Sequence, residues 1–401
     1  MFLRQNLRWL SAGFVLTFVS AFGQTWFISL FAGVIKAEHA LTDGSWGSLY
    51  TLATLGAAAL MFWRGSLADT VALSRLAPVI ALIFALAALA MALANTVWVL
   101  AAALFLLRFC GQGMFSHMAM TAMGRWFEAN RGKAVSIANL GHSAGEVVVP
   151  LVTVLAIGAI GWRLSWIGVA LLISLGIAPL LWVLLRNDRS PRGQRQGTML
   201  AGLHGRQWTR QEAARHWLLP ALLPVLLTPG FIGTVVFFHQ VHIAEVKGWS
   251  LVSMAPGYSA FAATTVIAAL VAGWAADRFG AQRLLPVLLL PTGFGIFVIG
   301  PAEQVVAWYV ALGLIGMTQG IASALWGTLL PAVYGTRNLG AIRSLATTIM
   351  VVSTAIGPGI TGILIDQGMN FPAQSLMMGA WCMGLAGACF LIDRRLTREL
   401  S

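Results

Sequence analysis

Twice, 208 residues apart, a long apolar run stops at a short polar stretch before another run begins. The first stretch is Trp63-Arg64-Gly65-Ser66-Leu67-Ala68-Asp69, closed by Arg75, Leu76 and Pro78. Adding 208 to each number reaches Gly273, Ala276, Asp277, Arg283, Leu284 and Pro286, identical in type to Gly65, Ala68, Asp69, Arg75, Leu76 and Pro78. The same offset carries Gly132 to Gly340, Ser136 to Ser344, Ala138 to Ala346 and Pro150 to Pro358. An offset of 207 carries Gln112-Gly113 to Gln319-Gly320. A period of half a chain means two copies of one folding unit, not a solenoid. In a membrane, a parallel repeat points to two bundles related about the membrane normal, with a site between them.

The apolar runs make a bilayer the solvent. Apolar residues are 58% of the 401 and charged residues 9%, against about 25% charged in soluble domains. The runs also have the roughly 20 residues a helix needs to cross a bilayer. None shows the ten-residue alternation of a β-barrel. The reading is an all-α membrane protein of twelve transmembrane helices in two pseudo-symmetric six-helix bundles. The spans fall near 10–34, 46–63, 77–95, 97–124, 132–158, 162–185, 217–243, 252–274, 284–300, 303–334, 340–365 and 374–392. Residues 1–185 form an N-terminal bundle, 186–216 a basic linker and 217–401 a C-terminal bundle. The first run is too long for a signal-peptide core and is expected to be an uncleaved span.

The net charge of +12 speaks for orientation, not nucleic acid. Of 25 Lys and Arg, Lys36, Arg163 and Lys247 fall on one side and Arg108 lies inside a span. The other 21 share the side of both termini and the linker, which the positive-inside rule makes cytoplasmic. Arg186, Arg189, Arg192, Arg195, Arg206, Arg210 and Arg215 suit a solvated linker facing anionic headgroups, with Gln207 to His216 as a surface amphipathic helix.

Ionisable residues at membrane depth mark function or a specific pairing. Arg108 lies 17 residues before Arg125, and Glu146 lies 14 residues after Gly132, both counted from the cytoplasmic ends of spans 4 and 5. Their depths differ by about 5 Å, which an arginine side chain covers, so the two are expected to pair. Gln112, Phe115 and Ala119 share Arg108's helical face. Asn139, His142, Ser143 and Thr153 extend Glu146 into a polar stripe. Burial disfavours a charged carboxylate and a neighbouring guanidinium favours it. Separating the pair would let Glu146 take a proton and leave Arg108's planar fork for an anionic ligand. His142, one turn from Glu146, either relays protons or satisfies a backbone partner.

Cys110, Met114 and His117 share another face, the soft set that Cu(I) prefers, although Met and buried Cys are also ordinary core fillers. Cys382 and Cys389 lie two turns apart, too far to bridge. His239 and His242 share a face near the outer end of span 7, and a metal there would need further ligands. No metal or other cofactor is expected. Three hydrogen-bonding stripes serve as helix glue or line a cavity: Thr17, Ser20 and Gln24; Thr228 with the two histidines; Gln319, Ser323 and Trp326. Their recurrence in corresponding helices favours a cavity.

With these residues in place, the chain resembles the major facilitator superfamily of transporters over its whole length. That family's loop signature reads Gly, three residues, Asp, Arg, one residue, Gly, then a basic residue. Gly273, Asp277, Arg278, Gly280 and Arg283 keep it. The first copy keeps Gly65, Asp69 and Arg75, with Thr70 and Ala72 at the Arg and Gly positions. The resemblance implies a cytoplasmic gate latched by Asp69 near Gly340 and Asp277 near Gly132, with Arg125 and Arg343 at its rim. Arg108-Phe-Cys-Gly-Gln-Gly113 resembles the family's span 4 arginine motif, associated with proton coupling. Arg125 to Ala134, running on to Gly141 and Gly145, is similar to the monocarboxylate and oxalate–formate branch. That branch's basic residues in span 8 or within span 11 are absent here.

The resemblance implies a monomeric secondary active transporter rather than an enzyme, in a bacterial inner membrane with both termini cytoplasmic. It would move a small organic anion, a monocarboxylate, together with protons, and would have no nucleic-acid partner. Arg108, Gln24, Gln112, Asn139, Gln319, Trp326 and His239 would bind substrate, while Glu146, His142 and Arg108 would couple protons. The alternatives are proton-driven export of amphipathic compounds, Cu(I) uptake through Cys110, Met114 and His117, and a non-transporting sensor.

Overall fold

The computed structural model describes residues 2–127, 130–186 and 201–400. Their order is a succession of helices. The first, α1, comprises Leu3–Gly23 and Thr25–His39, bent by 45°. There follow α2 (Asp43–Arg64), α3 (Leu73–Ala92), α4 (Val97–Trp126), α5 (Arg131–Ile160) and α6 (Trp162–Leu185). Beyond the linker come α7 (Leu218–Phe238), α8 (Leu251–Phe279), α9 (Ala281–Ile299), α10 (Val306–Tyr334), α11 (Leu339–Asp366) and α12 (Phe371–Leu400). Among the described residues ten helices, or eleven with the bent α1, are long and apolar enough to cross a membrane. The twelfth, α2, has 22 residues. Asp43, Ser45, Ser48, Thr51 and Thr54 make it more polar than the others.

The chain divides into two compact units. One holds α1 to α6 together with Pro358–Ile363, and the other holds the remainder of α7 to α12. In the first unit, small residues bring α1 against α5. A Cβ at Gly13 would lie 3.2 Å from Ala138 Cβ, and one at Gly145 would lie 2.9 Å from Ala21 Cβ. Across this seam Thr17 Oγ1 donates to the Ala138 carbonyl, while Ser20 Oγ donates to Thr17 O at 2.6 Å. The polar stripe of α1 is therefore helix glue at Thr17, while Ser20 bonds within α1 itself. The second unit repeats the device between α8 and α10. There Thr264 Oγ1 donates to Gly313 O at 2.7 Å, and a Cβ at Gly320 would lie 2.7 Å from Ala269 N. Thr228 is glue as well, donating to Pro224 O at 2.8 Å and accepting from Trp381 Nε1 at 2.9 Å.

At the end expected to face outward, a cation covers the same two carbonyls in each unit. Arg163 donates to Ala92 O and, at 2.9 Å, to Ala94 O. Lys247 Nζ donates to Gly300 O at 2.6 Å and to Ala302 O at 2.9 Å, carbonyls 208 residues further on. Basic side chains suit these positions because the last carbonyls of a helix lack helical donors.

The described part of the linker contains the helix expected within Gln207 to His216. A six-residue helix, Arg210–Arg215, starts at a capping box of Thr209 and Glu212. It is fixed to its own unit: Trp208 N donates to Tyr334 O at 3.1 Å, and Asn338 Nδ2 donates to Trp208 O at 2.9 Å. His216 Nδ1 and the Tyr334 hydroxyl lie 3.3 Å apart, and Trp217 Nε1 donates to Glu399 Oε2 at 3.1 Å. Arg189, Arg192 and Arg195 lie outside the described residues.

Candidate functional site

Two departures of the first unit from the second meet at Arg108. α1 turns extended at Gln24 (φ −80°, ψ 153°), whereas Ile232, 208 residues on, lies inside the unbroken α7. α4 widens into a π-helical segment at Arg108–Phe115, whereas α10 runs as α-helix from Val306 to Tyr334. The other break of α1 does recur: Phe31 (φ −89°, ψ −2°) corresponds to His239 (φ −91°, ψ 16°). The π segment has a trace in the sequence. Ala94 and Ala302 correspond at 208, but Gln112 and Gln319 correspond at 207. Over that stretch α4 carries one residue more than α10, and a wider i→i+5 turn absorbs it.

The two irregular backbones touch. A Cβ at Gly23 would lie 2.6 Å from Gly111 Cα, and one at Gly111 would lie 2.5 Å from Gly23 Cα, so only glycine permits this approach. The contact sets the Gly23 carbonyl before Arg108, whose Nη1 donates to it at 2.9 Å. Arg108 is 2% exposed. Its guanidinium lies over the Tyr50 ring, 5.2 Å from the centroid, and the Tyr50 hydroxyl and Thr25 Oγ1 share a 2.7 Å hydrogen bond. Arg108 Nε and Nη2 are buried without a hydrogen-bond partner among the described residues. These N–H groups sit side by side on one edge of the guanidinium, spaced to meet the two oxygens of a carboxylate. Burying a cation costs several kcal/mol unless an anion compensates it. Among the described residues no carboxylate lies within ion-pair distance of Arg108.

The expected Arg108–Glu146 pair is therefore corrected. Glu146 Oε1 instead meets His142 Nε2 at 3.3 Å, one turn away on α5. The reason is α1. Gly145, beside Glu146, packs on Ala21 of α1, while Arg108 finds its acceptor in Gly23 of the same helix. A backbone carbonyl and an aromatic face thus take the guanidinium, and a histidine at i, i+4 takes the acid. Among the described residues no three of His, Cys, Asp or Glu gather as a metal site.

The other expected residues are distributed as follows. Gln24 sits half-buried at the α1 break and Gln112 half-buried in the π segment, while Asn139 is exposed on α5. In the second unit His239 is buried at its break, Gln319 is exposed and Trp326 half-buried on α10. Of the gate residues, Gly65 N donates to Met61 O at 2.7 Å, and the Asp69 side chain lies outside what is described. Arg75, Arg125 and Asp277 are exposed, and Gly273 is half-buried. Arg278 lies over the Trp274 and Phe279 rings, and Arg343 Nη2 donates to Gly327 O at 3.1 Å. Arg283 pairs at 3.1 Å with Asp393 of α12, which is buried. Asp393, Tyr50, Thr25 and Gly23 escape sequence reasoning. The 207 offset at Gln112 and the 208 offset between Tyr50 and Tyr258 were the signals available.

Two repeated halves of spanning helices, with a buried cation in one of them, define a repeat-built helical membrane protein. A model of the Major Facilitator Superfamily matches residues 13–358 and 257–400, and the chain belongs to that superfamily. It is 28% identical over 277 residues to monocarboxylate transporter 11 of Homo sapiens, covering 65% of this chain and 56% of that protein. It is 32% identical over 158 residues to a gallate transporter of Pseudomonas putida, covering 39% of this chain and 34% of that protein. The matches thus span less than two thirds of either relative's length. A bacterial homologue of the human lysosomal transporter Spinster, solved inward-facing and occupied, superposes with a TM-score of 0.71. It is 17% identical, over 99% of this chain and 98% of that one. The nucleoside transporter NupG gives 0.72 at 12% identity, over 96% and 98%. At such identities these structures speak for the fold alone.

Proposed function

We propose that this chain is a secondary active transporter of a bacterial inner membrane that carries a small monocarboxylate with a proton by alternating access. The observation that carries the reading is the edge of Arg108, two buried N–H groups without a partner among the described residues. A carboxylate there makes two charge-assisted hydrogen bonds and neutralises a buried cation. The names of two relatives, a monocarboxylate transporter and a gallate transporter, support the same chemistry, since gallate is a carboxylate. Proton coupling rests on Glu146 and His142, an acid and a base in contact at 3.3 Å. Substrate and proton act at separate places. Each neutralises one buried charge, and the loaded carrier then changes state at lower cost. Gln24 and Gln112 are the chain neighbours of Gly23 and Gly111, which touch beside Arg108. In this reading Asn139 of the first unit and Gln319, Trp326 and His239 of the second are further substrate contacts, and the two Asp-containing loops are cytoplasmic gate elements.

The test is uptake of labelled benzoate into proteoliposomes. Arg108→Lys keeps the charge but lacks the fork. It is expected to lower uptake about tenfold or more, since a hydrogen bond to a charged group is worth about 1.5–3 kcal/mol. Glu146→Gln is expected to keep benzoate counterflow and to lose accumulation driven by an inward proton gradient. Normal uptake with unchanged pH dependence in Arg108→Lys would refute the reading.

A further inference from the structure

We infer that Tyr50, tilted by its bond to Thr25, is the positioning residue that aims the Arg108 fork. This rests on the reading of Arg108 as the anchor of an anion. A guanidinium on its flexible stem needs two constraints before its free edge has a fixed direction. The Nη1 bond to Gly23 O, 2.9 Å long, fixes one corner. It leaves the plane free to swing about that bond. The Tyr50 ring, lying 5.2 Å beneath the guanidinium carbon, fixes the plane. The ring cannot tilt freely either, because its hydroxyl is held by Thr25 at 2.7 Å and the side chain is fully buried. Gly23 and Thr25 stand on either side of Gln24, the extended residue of α1. One break in one helix thus supplies both fasteners. The direction of the fork decides which anions it accepts, because two parallel donors match the coplanar oxygens of a carboxylate better than the tetrahedral oxygens of a sulfonate.

The second unit contains an internal control. Tyr258 lies 208 residues after Tyr50, is equally buried, and donates to Gln240 Oε1 at 2.5 Å. The position corresponding to Arg108 at the local offset of 207 is Ile315. The second unit keeps a buried tyrosine that bonds to a neighbouring helix and lacks the arginine. A purely structural role for such a tyrosine is therefore open to measurement at Tyr258.

The experiment titrates the full-length detergent-purified protein with benzoate and benzenesulfonate and takes the ratio of the two affinities, which is insensitive to the fraction of folded protein. Benzoate is expected to bind more tightly. Tyr50→Leu should lower the ratio about tenfold, whereas Tyr50→Phe, which keeps the ring but loses the bond to Thr25, should lower it only severalfold. Tyr258→Leu should lower the melting temperature and leave the ratio alone. An unchanged ratio in Tyr50→Leu, or a fall as large in Tyr50→Phe or Tyr258→Leu, overturns the inference. Should Tyr50→Leu not fold, Thr25→Val takes its place, with a severalfold fall expected and an unchanged ratio overturning the idea. Failure of the parent reading looks different: the unmutated protein binds neither anion, or Arg108→Lys binds benzoate as tightly as the unmutated protein does.

Discussion

Gly23 has no side chain, yet the site depends on what is missing there. Its Cβ would lie 2.6 Å from Gly111 Cα, a backbone atom that no rotamer change can remove. Gly23→Ala therefore has to push α1 away from α4, and overpacking of this kind costs about 1–3 kcal/mol. The expected outcome is a lower melting temperature together with weaker benzoate binding, because the carbonyl that holds Arg108 Nη1 moves with the backbone. Gly132→Ala, whose Cβ meets nothing within 4 Å, serves as the reference, and equal melting of the two variants would remove the argument. Residues that are conspicuous by type were legible without coordinates. Arg108 and Glu146 are charges in apolar runs, and the His142–Glu146 contact follows from helical spacing alone. Tyr50 was not legible, because an aromatic in a span looks like any core residue. Gly23 acts through a carbonyl, which every residue has. The Arg108–Glu146 pair failed for a related reason. Counting helical rise estimates depth, but says nothing of what else lies within reach of either side chain.

Elements were legible where a signal repeats and obscure where a contact is long-range. The helices follow from apolar length. The carbonyl pairs Ala92/Ala94 and Gly300/Ala302 keep the repeat, although their cations, Arg163 and Lys247, come from positions that do not correspond. The linker helix shows the opposite case. Its capping box of Thr209 and Glu212 is readable in the sequence, but its attachment to α10 and α12 is not. That attachment has a pH dependence. His216 packs against the Trp208 and Tyr334 rings, and Glu399, Arg395 and His204 are the charged or titratable groups acting on it. Burial, partly offset by Glu399, holds its imidazole below the ordinary histidine value. The folded state thus favours neutral His216. Its contribution is complete above about pH 6.5, the ordinary value, and is lost as pH falls through the lower folded value. Hydrogen-exchange protection of residues 201–216, taken relative to the intrinsic rate at each pH, should accordingly fall on acidification below about pH 6.5. His216→Phe should flatten that dependence. A profile as steep in His216→Phe as in the unmutated protein would assign the effect to another group.

For the whole molecule, the repeat and the charge distribution make one joint prediction. A parallel repeat keeps orientation, so two exposed residues 208 apart belong on the same side of the membrane. The charge asymmetry then says which side. Thr70 and Arg278 form such a pair at the loops after α2 and α8, and Asn95 and Glu303 form another at the turns before α4 and α10; all four are exposed. Cysteines introduced at Asn95 and Glu303 are expected to react with a membrane-impermeant maleimide in intact cells. Those at Thr70 and Arg278 should react only after permeabilisation, since 21 of the 25 basic residues accompany them. The native thiols Cys110, Cys382 and Cys389 are buried, out of reach of the reagent, which keeps the background low. The two ways of failing are informative in different ways. If all four labels exchange sides, the positive-inside argument is wrong and the repeat survives. If the members of one pair label from opposite sides, the halves are inverted copies, and the 208-residue correspondence that places Tyr258 opposite Tyr50 and Ile315 opposite Arg108 loses its physical basis.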